Sequence, residues 1–66
     1  MYEVRDIGNH QVEVYDRDTG RGVYKYLLPT DLTMANVRIN GNEFRAGPIN
    51  NQQWVYDLEA GQGRWE

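Results

Sequence analysis

A chain of 66 residues has the length of one domain, and a domain this small buries only about 60 % of the surface its unfolded form exposes. No cysteine and a single histidine, His10, exclude disulfides, thiolate zinc sites and His-rich metal clusters. Seven basic against ten acidic residues leave a net charge of −3, which argues against non-specific binding to duplex DNA or to an anionic membrane.

Such a chain commands a net stability of only ~3–5 kcal/mol as a monomer. Self-association or a protein partner is therefore a natural further source of stability. No run approaches the ~20 apolar residues of a membrane span, and Met1-Tyr2-Glu3-Val4-Arg5 lacks the form of a signal peptide. These features lead us to expect a soluble cytoplasmic protein that spans no membrane.

Helical periodicity is weak, and β-branched and aromatic residues cluster in short runs between Gly and Asn. Tyr2–Ile7 and Gln11–Asp16 read as the first two strands, joined by Gly8-Asn9-His10. A three-residue loop sets Val4 against Val14 and Arg5 against Glu13, which matches apolar to apolar and opposite charges to one another. A third strand over Arg21–Leu28 follows the turn Arg17-Asp18-Thr19-Gly20. A four-residue loop there pairs Asp16 with Arg21 and Val14 with Val23, so that Val4, Val14 and Val23 form one apolar stripe with Val12 and Leu27 nearby.

Pro29 ends the third strand, because it lacks a ladder donor. Thr30–Ala35 then reads as one helical or 3₁₀ turn with Thr30 as N-cap. Asn40-Gly41 between alternating apolar positions is a strong hairpin signature, opposing Val37 to Phe44 and Arg38 to Glu43. Gly47-Pro48 reads as a chain break and Asn50–Gln53 as a polar loop. Trp54–Leu58 reads as a further strand, with a helix over Asn51–Ala60 as its competitor. A turn at Ala60–Gly63 brings a short terminal strand back, with Glu59 facing Arg64 and Leu58 facing Trp65. The expected fold is a mainly β domain: a strongly bent antiparallel sheet or open barrel of about 5–7 short strands, of SH3-like or OB-like size.

Motifs for chemistry are sparse. Asp18-Thr19-Gly20 matches the aspartic-protease tripeptide, but Tyr15-Asp16-Arg17 precedes it where an apolar strand belongs, and it serves as ordinary turn chemistry. A calcium loop opening at Asp16 would need a glutamate where Leu27 stands. The chain contains no serine and no cysteine, and none of its threonines follows Met1 as an N-terminal nucleophile. His10 sits in a turn as exposed filler. The reading is a non-enzyme without cofactor or metal.

The remaining feature is aromatic. In this register Tyr15, Tyr24 and Tyr26 lie opposite the valine stripe, beside Arg5 and Glu13. Tyr and Arg are enriched at binding hot spots, so Arg5, Tyr15, Tyr24 and Tyr26 are the candidate binding residues. The first functional expectation is a non-catalytic protein-interaction module docking through this face or through a strand edge. It would be an accessory, inhibitor or assembly subunit of the kind phages and mobile elements encode. The second is a single-stranded nucleic-acid binder that stacks bases on Tyr15, Tyr24 and Tyr26, a role the acidic balance disfavours. The competing structural reading makes the tyrosines a minor core under Pro29–Ala35.

Overall fold

The computed structural model describes residues Met1–Glu66. The strands are β1 (Tyr2–Gly8), β2 (Gln11–Asp16), β3 (Gly22–Leu27), β4 (Val37–Asn40), β5 (Glu43–Ile49), β6 (Gln52–Asp57) and β7 (Gln62–Trp65), with a 3₁₀ turn at Met34–Asn36. The fold is mainly antiparallel β, as its residue pattern requires. The strands divide into a three-stranded sheet, β1-β2-β3, and a four-stranded sheet, β4-β5-β6-β7. The sheets are not closed into a barrel. The division falls where Leu28 and Leu32 turn inward and become buried, which carries the chain away from the edge of β3 instead of along it.

In the first hairpin Val4 faces Val14 and Arg5 faces Glu13, as cross-strand matching requires. The loop itself is Asn9-His10, with both residues at positive φ, 53° and 60°. A bulge between Asp6 and Gly8 restores the register that a three-residue loop would give.

The second hairpin departs from expectation. Asp16 N–H donates to the Arg21 carbonyl at 2.9 Å, so the turn closes as anticipated. A bulge at Val23 then adds a residue to β3, and Val14 faces Tyr24 while Val12 faces Tyr26. A one-residue slip exchanges the two faces of a strand. Tyr24 and Tyr26 therefore turn inward, and Val23 and Leu27 turn outward, 47 % and 65 % exposed. The apolar stripe stops at Val14. Aromatic rings bury more area than valine and find ring partners on the facing sheet, which favours the bulged register.

The helical turn is capped by Thr33, not Thr30. Thr33 Oγ1 accepts from Ala35 N–H at 3.2 Å, and Asn36 Oδ1 accepts from Thr33 N–H at 2.9 Å. Thr30 instead lies in the preceding turn, which Leu32 N–H closes onto the Pro29 carbonyl at 3.0 Å.

The β4–β5 hairpin turns at Gly41-Asn42, so Val37 faces Ala46 and Ile39 faces Phe44. This moves the register by two residues and leaves the faces unchanged. Only Gly41 has positive φ, 62°, as the first loop position of a type II′ turn requires. Strand β5 continues through Gly47-Pro48 by way of a bulge between Ala46 and Ile49. Val37–Ala46 is the last pair with β4, so Pro48 deprives no neighbour of a ladder donor. Asn50 and Asn51, at φ 52° and 65°, make the next turn. The ladder Phe44–Tyr56 and Ala46–Trp54 replaces both the longer polar loop and the competing helix. In β7, Trp65 faces Trp54, four positions from the expected Leu58, again on the same face.

One core joins the sheets. Val12 and Val14 from the first sheet meet Val37, Phe44 and Ala46 from the second, with Leu28 and Leu32 from the connection.

Candidate functional site

The outer face of β1-β2-β3 carries Glu3, Arg5, Glu13, Tyr15 and Lys25, as the cross-strand pairs dictate. The Arg5 guanidinium carbon lies 4.4 Å from the centre of the Tyr15 ring. Its Nη2 and Nε donate to Glu13 Oε1 at 2.7 and 3.0 Å. The Glu13 carboxylate lies over Gly22, in the space a side chain at position 22 would take. Tyr15 Oη donates to Glu3 Oε1 at 2.7 Å, and that hydrogen bond, more than partial burial, holds its phenol above the ordinary 10.0. Arg17 Nη1 lies 3.6 Å from Glu3 Oε2. Arg5 thus keeps about half its side chain in solvent (47 %) on a base of largely covered Glu13 (17 %).

Tyr24 and Tyr26 do not share that face, which corrects the expected four-residue surface. Tyr24 stacks on Tyr56 with centroids 3.9 Å apart and an interplanar angle of 13°. Both tyrosines flank Phe44, at 5.4 and 5.3 Å. Trp54 Nε1–H donates to Tyr24 Oη at 2.9 Å. Burial raises the phenol of Tyr24 and that of Tyr26 above the ordinary 10.0. With these rings committed to the inter-sheet layer, no three-tyrosine stacking platform is presented. The two rings pack as core, as the competing reading has it, but against Phe44 and Tyr56 of the second sheet rather than as a separate minor core under Pro29–Ala35. The Val23 bulge is the cause, and no residue pattern marks it beyond the adjacent Gly22.

A second polar surface was not anticipated. On the outer face of β4-β5-β6-β7, Glu43, Arg45, Arg64 and Glu66 close an ionic ring. Arg45 lies 3.0 Å from Glu43 and 3.2 Å from Glu66, and Arg64 lies 2.9 Å from Glu43 and 2.7 Å from Glu66. Val55 stands between Arg45 and Arg64 in the cross-strand order and is fully buried. The Glu43–Arg45 half is legible as an i, i+2 pair on one strand face; the Arg64 half depends on a hairpin register that turn residues alone left four positions away.

Hydrogen bonds from Arg64 and Arg45 hold the Glu43 carboxyl below its ordinary value, and a hydrogen bond from Arg64 does the same for Glu66. The unfolded chain therefore binds protons at a higher pH than the folded one. The stabilisation is complete above the unfolded glutamate pKa of about 4.3 and is lost as pH falls through the lower folded values. Asp57 stands opposite Glu43 in the ladder, and its Oδ1 accepts from the Glu59 and Ala60 N–H groups. We expect the urea midpoint to hold from pH 7 to 5 and to fall below pH 4. Glu43→Gln should flatten that fall, and an unchanged acid limb in that variant would contradict the assignment.

A cleft of about 440 Å³ lies between the first hairpin and the 3₁₀ segment, with Asp6, His10, Leu28, Leu32 and Met34 in its lining. No three metal-ligating side chains converge in the chain. No helix is long and apolar enough to cross a membrane. No family model, curated protein or solved structure matches the chain.

Proposed function

We propose that the protein is a small non-catalytic interaction module that docks a protein partner through the outer face of β1-β2-β3 and its adjoining strand edge. The observation that supports this reading is the Arg5 guanidinium stacked on Tyr15 and fixed by Glu13. An arginine already held in one orientation loses little side-chain freedom on binding, and Arg and Tyr are the residue types that anchor interfaces. The apolar Val23 and Leu27 at the far edge of the same sheet extend the surface away from the charges. The nucleic-acid reading loses support, since Tyr15 alone among the three tyrosines is outward and Arg5 covers its ring.

The test is affinity capture from the source cells with the wild-type chain and with the double variant Arg5→Ala/Tyr15→Ala as baits. The expected result is a protein retained at least tenfold better by the wild type while both baits give the same folded spectrum. Equal retention, or none by either, would sink this reading.

A further inference from the structure

We infer that β1 pairs with β1 of a second copy of this chain, antiparallel about a twofold axis through Val4. The inference rests on the reading of β1-β2-β3 as the docking sheet, and it names the occupant of that sheet's open edge. Strand β1 is terminal in the order β1-β2-β3 and has one ladder neighbour only; β4 of the second sheet comes close to it without forming a ladder. Arg17 N–H donates to the Met1 carbonyl at 2.8 Å. Bonded pairs alternate along an antiparallel ladder, so Glu3 and Arg5 exchange their backbone bonds with β2. The N–H and C=O groups of Tyr2, Val4 and Asp6 then point to the open side, and an open edge of this kind is a template for another strand.

A twofold axis through Val4 makes Val4 a mutually bonded pair with the partner's Val4, in phase with those free groups. It places Tyr2 opposite the partner's Asp6, also in phase. On the outer face it sets Glu3 against the partner's Arg5 and Arg5 against the partner's Glu3. With the existing Arg5–Glu13 pairing, charge then alternates across the seam: Glu13, Arg5, the partner's Glu3. Met1 and Ile7, both exposed apolar residues at the strand ends, come opposite the partner's Ile7 and Met1. The contact is isologous, as a closed dimer requires.

The other open edges lack this match. On β3, the register that joins Val23 to the partner's Leu27 forces Lys25 against Lys25, and the bulge there twists the edge. Strand β7 offers four residues only, as does β4.

Sedimentation equilibrium of the wild type up to roughly millimolar concentration should show a dimer. Amide hydrogen exchange should show protection of Tyr2, Val4 and Asp6 that grows with concentration. Glu3→Arg and Arg5→Glu each place like charges at two symmetric contacts, and each should weaken the dimer about tenfold or more. An equimolar mixture of these two variants restores opposite charges at both contacts and should recover a heterodimer. If either variant fails to fold, Val4 carrying an N-methyl group removes the central donor without changing charge and should abolish the dimer. A wild type that stays monomeric, or a dimer in which the three amides exchange freely, overturns the inference. Either result leaves the interaction-module reading to the capture experiment, which fails on its own terms.

Discussion

Replacing Tyr24 and Tyr26 together by alanine is expected to abolish cooperative thermal unfolding. Were these rings solvent-facing, the double variant would melt like the wild type. In the structure Tyr24 lies against Tyr56, Tyr26 and Phe44, and Tyr26 lies against Phe44. Truncating a buried Phe costs ~3–5 kcal/mol. Half of that at each of two half-buried positions already equals the ~3–5 kcal/mol available to a domain of this size. Tyr24→Phe keeps the ring and removes only the acceptor of the Trp54 indole N–H, for a cost of about 1 kcal/mol. Circular dichroism melts of the three proteins should therefore rank wild type, Tyr24→Phe and then a double variant without a transition. A cooperative melt in the double variant would place the rings outside the core.

Phe44→Ala is expected to be at least as damaging from a single position. Phe44 is 0 % exposed and contacts rings of the opposite sheet, so its loss opens a cavity where the two layers meet. The ~3–5 kcal/mol cost of a buried Phe→Ala change matches the whole stability of a domain this size, ~3–5 kcal/mol, and the variant should be largely unfolded at 25 °C. Phe44→Leu retains most of the volume and should fold with a lower urea midpoint at an unchanged slope. A Phe44→Ala protein that keeps more than half the wild-type midpoint would mean that the core tolerates collapse around the gap.

Both results bear on the proposed docking surface. The inter-sheet aromatic layer packs against β3 from within, and the outer face of that sheet carries Arg5, Glu13 and Tyr15. The inner rings hold the scaffold, and the outer residues stand on the solvent side of the sheet. Of the four candidate binding residues, Arg5 and Tyr15 stay together because the β1–β2 register depends on local matches: Val4 to Val14 and Arg5 to Glu13. The two others leave them because of one inserted residue in β3.

The sequence by itself determined the mainly antiparallel β class, the Gly- and Asn-centred hairpins and the absence of thiol chemistry. Those properties follow from period-two patterning, from turn residues that accept positive φ, and from composition, all of which are local. Tertiary structure alone decided that the strands divide into two sheets, that Thr33 rather than Thr30 caps the 3₁₀ turn, and that Val23 bulges so that Tyr24 and Tyr26 face inward. It also brought Arg64 and Glu66 onto Glu43 and Arg45. The physical reason is that a bulge or a slipped hairpin costs little locally, whereas the burial it permits against a distant strand is large. Phe44 and Tyr56 lie 20 and 32 positions beyond Tyr24 in the chain, outside the reach of any local pattern.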